Sequence, residues 1–326
     1  MTQHESTSQP AIAEVGAQIL AAVRTAVVGM DDSLELALAT ILAGGHVLFE
    51  DVPGLGKTLA ARSLASALGL DFRRLQCTPD MLPGDVTGSY VYAPDTGGFV
   101  FRPGPIFTGM LLADEINRTT PKTQSAMLEA MAERQVTVEG NSFALPAPFH
   151  VIATSNPIEY EGTYALPEAQ LDRFMVRLSV GYQSPDGETQ ILLDRVARRQ
   201  EATRIAPVID AGRLIEVQQA VEAIHVHPDI ARYCVDITRA TRHAQSVAVG
   251  ASPRGSLGLL LLGRALAALD GREFVRPDDI KRIAVPVLAH RLTLTPQAWA
   301  QGVSAEQIIQ NVIGLVPVPP TVGAQA

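Results

Sequence analysis

The 326-residue chain reads as an α/β protein, a parallel five-stranded sheet sandwiched by helices and followed by a smaller all-α domain. Three observations predict this. Five short apolar runs, at residues 47–49, 72–77, 110–113, 150–154 and 174–180, are separated mostly by helical stretches. The runs are almost continuously apolar rather than alternating, as strands covered on both faces require. After Gly181 the strand signals stop and helix-start signals repeat.

In chain order, residues 12–27 carry apolar side chains at helical spacing. A second helix over 31–43 is stopped by Gly44-Gly45. In the later part, Ser184-Pro185-Asp186, His227-Pro228-Asp229, Ser252-Pro253-Arg254 and Arg276-Pro277-Asp278-Asp279 mark helix starts. Proline costs nothing at the first helical position, and acids in the first turn face the positive end of the macrodipole. The expected division is a flexible tail at 1–10, an αβα core at 11–183, a helical domain at 184–316 and a flexible, proline-rich tail at 317–326.

Composition narrows the function. Apolar residues make up 47% and charged residues 18%, enough for a sizeable core. A net charge of −8 argues against stable nucleic-acid binding, because phosphate neutralisation needs clustered Lys and Arg. Cys77 and Cys234 belong to no CxxC or Cys/His cluster, so no disulfide framework is expected. The most apolar stretch, 257–269, is interrupted by Arg264 and too short to span a bilayer, so it reads as a core helix. The start has no basic segment leading into an apolar run; no membrane insertion and a cytoplasmic location are expected.

Residues 46–59 read as an apolar strand, a loop of Asp51-Val52-Pro53-Gly54-Leu55-Gly56, then Lys57-Thr58-Leu59 opening a helix. Strand, loop and helix in that order are the context of a phosphate-binding loop. Gly54 and Gly56 let the backbone curl so that its N–H groups converge on anionic oxygens. Lys57 reaches the β/γ-phosphates of ATP, and the Thr58 hydroxyl ligates Mg2+. The formal pattern has glycine where this chain has Asp51. An ordinary Gly/Pro turn would share the local features, but the chain has only three lysines, Lys57, Lys122 and Lys281, against 26 basic residues. A compact ammonium kept at this position suits a phosphate.

Residues 110–115 are four apolar residues ending in Asp114-Glu115. In an open α/β sheet the carboxyl ends of the strands hold the ligand. Asp114 is placed to hold the metal through water and Glu115 to polarise the attacking water. The strand at 150–154 delivers Asn156, an uncharged amide able to orient that water. Taken by itself Asn156-Pro157 is also a common turn.

This series resembles an AAA+ ATPase, with Lys57-Thr58 as Walker A, Asp114-Glu115 as Walker B and Asn156 as sensor 1. The segments at 76–88, 98–107, 114–118, 121–124, 128–131, 153–157 and 166–174 narrow the resemblance to the MoxR family, and the likeness runs over about residues 12–316. It implies a helix-2-insert AAA+ protein working as a ring, a hexamer of identical chains, on a client protein that in this family carries a von Willebrand factor A domain. By position Arg173 resembles the arginine finger, Arg254 resembles sensor 2, and Val28-Gly29 resembles the edge of the adenine pocket. The residues at 134–148 read as a hairpin. With the insert near 84–104 it faces the pore or client in the wider clade, or is simply a packed surface loop.

The resemblance makes a chaperone that remodels, matures or activates partners the leading function. A nucleotide-gated binding scaffold and a motor subunit of a chelatase-like or helicase-like complex remain alternatives. His225 and His227 lack a third ligand nearby, and His290-Arg291 reads as a helix-end pair.

Overall fold

The computed structural model describes residues 9–95, 97–157, 163–199 and 204–320; of the tails expected at 1–10 and 317–326, residues 1–8 and 321–326 lie outside them, while Gln9 and Pro10 already belong to the first helix. The first part runs α1 (Gln9–Arg24), α2 (Asp31–Leu42), β1 (Val47–Glu50), α3 (Lys57–Ala67), β2 (Phe72–Gln76), α4 (Pro83–Thr87), β3 (Gly88–Ala93), β4 (Gly98–Pro103), β5 (Met110–Asp114), α5 (Pro121–Glu133), β6 (Gln135–Val138), β7 (Asn141–Ala144), β8 (His150–Ser155), α6 (Glu168–Leu171) and β9 (Val176–Leu178). Five of these strands form one parallel sheet in the order β2-β5-β8-β1-β9.

The near-continuous apolar runs have a direct cause. Successive side chains on a strand point to opposite faces. Val47 and Phe49 enter one apolar cluster while Leu48 enters the other; Met110 and Leu112 part from Leu111 and Ala113 in the same way, as does Ile152 from Val151 and Ala153. Both faces are dry, so neither can be polar. One face is covered by Met127, Leu128 and Met131 of α5. The other merges with α1, α2 and α3 and continues into the later helices through Leu214, Val217, Leu259, Ile283 and Val287.

The later part comprises α7 (Pro185–Arg198), α8 (Ala211–Glu222), α9 (Pro228–Thr241), β10 (Val247–Val249), α10 (Pro253–Leu269), α11 (Pro277–Leu288), β11 (Thr293–Leu294), α12 (Pro296–Ala300) and α13 (Ala305–Leu315). Each of the four prolines at the expected helix starts is the first residue of its helix. Ser184 accepts from Gly187 N and Ser252 from Arg254 N, satisfying N–H groups that have no partner within the helix. This part also contains a small antiparallel ribbon, β10 with β11, too short to leave a sequence signal. No described helix is long and apolar enough to cross a membrane.

One strand is shorter than the apolar run suggested. The run at 174–180 yields β9 only over Val176–Leu178. At its start the Phe174 carbonyl accepts from Arg291 Nη2 (2.8 Å) and from His290 Nε2 (3.1 Å), both from this later part, the lid. At its end the Val180 and Gly181 N–H groups turn to the Asp51 carboxylate instead of continuing the ladder.

The segment at 84–104 forms α4 and the hairpin β3–β4, and 135–144 forms the hairpin β6–β7. The two hairpins are packed together. Phe101 stacks on Phe143 with centroids 3.9 Å apart and planes 11° off parallel, and Asn141 Nδ2 donates to the Tyr90 hydroxyl at 2.9 Å. Tyr92 and Phe99, near the tip of β3–β4, stay exposed.

Candidate nucleotide site

At the carboxyl ends of β1, β5 and β8 lies a cavity of about 360 Å³. It is lined by the loop 53–59, Asp114, Glu115, Asn156 and, from β2, Arg74. The loop is built as expected. Gly54 and Gly56 have φ of +86° and +84°, a conformation costly for any residue with a Cβ, and Gly56 is the left-handed residue from which α3 starts. A Cβ on either glycine would meet nothing within 4 Å, so the backbone faces open space there. Lys57 Nζ donates back to the carbonyls of Asp51 (2.6 Å) and Val52 (3.1 Å), arching over the loop. Burial pulls the ammonium below its ordinary pKa, against the opposing pull of the Asp51, Asp114 and Glu115 carboxylates.

The acidic pair is held by named partners. Thr154 Oγ1 donates to Asp114 Oδ1 at 2.6 Å and accepts from Glu115 N at 2.8 Å, so one hydroxyl on β8 aligns both residues. Asp114 Oδ2 accepts from Thr58 Oγ1 at 3.3 Å and from Arg74 through Nε (3.0 Å) and Nη2 (2.7 Å). Glu115 sits at φ 57°, ψ 52°, left-handed for a residue with a side chain, which turns its carboxylate off the strand axis. That carboxylate accepts from Gln76 Nε2 (2.7 Å) and Arg118 Nη1 (3.1 Å). Asn156 is buried on the cavity wall, its backbone tied to the Asn117 amide. Open curled backbone, a lysine and a Thr58–Asp114 pair in contact fit a magnesium-bound triphosphate.

Asp51 is placed differently from the rest of the loop. Its carboxylate accepts from Val52 N (2.8 Å), Ser179 Oγ (2.9 Å), Val180 N (2.7 Å) and Gly181 N (2.7 Å). Burial alone would raise its pKa, but the donors from Gly181, Ser179, Val52 and Val180 together outweigh that and hold it below the usual carboxylate range. Asp51 therefore fastens the loop to the end of β9 and does not line the cavity, and neither does Val52. Val28-Gly29 also lies outside it; Gly29, at φ 74°, lies so close to the Gln183 side chain that a Cβ would collide with it.

Arg173 and Arg254 do not reach the phosphate cavity. Both line a separate groove of about 280 Å³ with Arg134, His46 and Arg291. Arg173 Nη1 donates to the Leu128 carbonyl and its buried Nε has no hydrogen-bond partner. Arg254 lies 3.5 Å from Asp172, whose carboxylate is already held by Arg291 and Ser252.

Comparison with known proteins fits this architecture. Residues 46–176 match the family described as ATPase family associated with various cellular activities (AAA), and 239–312 match the AAA lid domain. A crystallographic candidate ATPase from Cytophaga hutchinsonii superposes with a TM-score of 0.89 at 35% identity, over 95% of this chain and 97% of that one. YeaC of Bacillus subtilis, a protein without assigned function, is 48% identical over 297 residues, 91% of this chain and 92% of its own. Chaperone MoxR1 of Mycobacterium tuberculosis is 42% identical over 306 residues, 91% of this chain and 80% of its own. The chain belongs to the MoxR family of AAA+ ATPases.

Within this MoxR-family site, the residues that sequence reasoning left out are Arg74, Gln76, Thr154 and Asn117. Arg74 and Gln76 stand two apart on β2 and so share a face, pointing at the acidic pair. Their signal was available: two long polar side chains two positions apart on a strand that also carries Arg73. Thr154 was hidden inside its strand, where a hydroxyl looks like any β-branched residue. The buried thiols take no part; burial, reinforced by Asp114 and Glu115, pushes Cys77 up to about 12, and burial pushes Cys234 up to about 12.

Proposed function

We propose that this MoxR-family chain binds and hydrolyses Mg-ATP between adjacent copies of a ring and uses the cycle to remodel or activate a partner protein. The observation that carries the proposal is the split of the site. Lys57, Thr58, Asp114, Glu115 and Asn156 surround one cavity, while Arg173 and Arg254 line another groove of the same chain. Guanidinium groups that stabilise a transferring phosphoryl act within contact distance, so these two are proposed to serve a neighbour's nucleotide. A bound magnesium ion would neutralise charge on the β- and γ-oxygens, with Thr58 and Asp114 holding it.

Glu115, turned off the strand by its backbone and braced by Gln76 and Arg118, is placed to take a proton from the attacking water. Asn156 is proposed to orient that water, and the curled loop 53–59 with Lys57 to cradle the phosphates. Val28-Gly29 is assigned to the adenine side. Asp51 supports this set from behind by fixing residues 179–181. The functional division falls between a core at 11–183 and a lid at 184–316, at the junction just before α7.

The partner-remodelling half rests on kinship with the Mycobacterium tuberculosis chaperone and on the two stacked hairpins with an exposed aromatic tip. ATP turnover by the wild type and Glu115→Gln tests the enzymatic half: the variant should bind ATP and lose at least ~100-fold in rate, and equal rates would sink the assignment. Mixing Arg173→Ala with Lys57→Ala chains tests the shared site. Each homogeneous preparation should be inactive, and mixed rings should recover part of the rate. No recovery under ring-forming conditions would remove Arg173 from the neighbour's site.

A further inference from the structure

We propose that Arg74 gates metal entry to the nucleotide site by occupying the oxygen of Asp114 that faces Thr58. This rests on the Mg-ATP reading above and concerns the regulation of that same site.

The two carboxylate oxygens of Asp114 have different partners. Oδ1 is taken by Thr154 Oγ1 at 2.6 Å, and the same hydroxyl holds Glu115 N, so this side is part of the fixed frame. Oδ2 is the oxygen next to Thr58 Oγ1, 3.3 Å away. A divalent cation held by Thr58 and Asp114 must be satisfied on this side. Arg74 already puts two donors there, Nε at 3.0 Å and Nη2 at 2.7 Å. The guanidinium and the cation would compete for the same oxygen. The competition is relieved only when Arg74 moves.

Its surroundings allow that. Arg74 stands on β2, the edge strand of the sheet, and its side chain keeps 46% of its exposure while that of Asp114 keeps 12%. Exposed ion pairs exchange with water at little cost, whereas a buried pair would be locked. The other contact of Arg74, Nη2 to Gln76 Oε1 at 2.7 Å, ties it to the amide whose nitrogen donates to Glu115. Arg74, Gln76, Asp114 and Glu115 therefore form one chain of hydrogen bonds. Release of Arg74 from Asp114 also loosens the support of the carboxylate assigned to the attacking water. Entry of the cation and readiness of Glu115 are linked through a single side chain. Arg74 is a positioning residue in this scheme.

The test separates the metal from the nucleotide. Full-length protein is titrated with a fluorescent, non-hydrolysable ATP analogue in EDTA, and then with Mg2+ or Mn2+ at saturating analogue. Arg74→Ala and Arg74→Gln should lower the metal concentration at half-saturation by about tenfold, because a competing and repelling charge has gone. The same variants should bind the metal-free analogue more weakly, since the cavity has lost a cation. Arg74→Lys should fall between them and the wild type in the metal titration. An unchanged or raised metal midpoint in Arg74→Ala and Arg74→Gln, with analogue still bound, would overturn the gate and leave Arg74 as a brace for Asp114. Failure of the wild type to bind the analogue under any condition would instead defeat the Mg-ATP reading.

Discussion

The phosphate-loop pattern has glycine where this chain has Asp51, so Asp51→Gly would make the loop look more ordinary. The geometry demands the opposite outcome. Three donors from residues 179–181, at 2.7 to 2.9 Å, converge on the Asp51 carboxylate and tie the loop to the end of β9. A hydrogen bond to a charged acceptor contributes about 1.5–3 kcal/mol when intact. Asp51 is only part-buried, so water will replace part of what is lost. The net cost of Asp51→Gly should be about 2–4 kcal/mol, including the added freedom of glycine in the unfolded chain. For a chain of 326 residues that corresponds to a fall of roughly 3–6 °C in Tm. Asp51→Asn, which keeps the shape and one acceptor, should lose about half as much. The sign with pH follows from the depressed carboxyl pKa. The contribution is fully present above the ordinary carboxylate range and lost as pH falls through the folded value. Thermal and urea unfolding of nucleotide-free protein, with ATP-analogue affinity measured beside them, provides the check. An Asp51→Gly protein as stable as the wild type, or one that binds the analogue more tightly, would refute the clamp.

Other consequences are equally measurable. His46 and His150, buried side by side at the base of the sheet, are lowered by burial from the ordinary imidazole value of 6.5 to about 3 and about 4. Each should make stability fall by up to about 1.4 kcal/mol per pH unit as pH drops below about 6.5, because only the unfolded chain takes up those protons. Replacing His150 with Gln should lower that slope in urea unfolding between pH 6.5 and 5; an unchanged slope would count against the assignment. Arg291 is buried and holds the carbonyls of Val287, Asp172 and Phe174 as well as the Asp172 carboxylate. Arg291→Ala should cost about 3–5 kcal/mol in denaturant unfolding, far more than removal of exposed Arg232. A double-mutant cycle on Phe101 and Phe143 should return a coupling of about 1 kcal/mol, and zero coupling would mean the hairpins do not support one another.

Most of the sheet and the row of residues around the cavity were legible because local chemistry forces them. Strands dry on both faces must be apolar throughout, and a backbone curled around phosphate must use glycine, so 47–59 and 110–115 announced themselves. The helix starts of the lid were legible through Ser-Pro and His-Pro pairs, since proline tolerates few other helical positions. Long-range pairing left no such trace. The role of Asp51 depends on N–H groups some 130 positions later in the chain, and Arg74 is seen to serve Asp114 only once β2 lies beside β5. The truncated β9 has the same origin: its sequence favours a longer strand, but side chains from Asp51, His290 and Arg291 capture the flanking backbone groups.

Asp172 immediately precedes Arg173, and it is gripped by Arg291 and Ser252, both from the lid. The backbone that carries Arg173 is thus bolted to the lid rather than hanging from the sheet alone. A rotation of the lid about its junction with the sheet would drag this arginine along like the hand of a clock. On the shared-site reading, the posture of one subunit's lid would dictate how closely its arginine approaches the next subunit's triphosphate. Timing around the ring would then be written into a one-residue offset between anchor and effector.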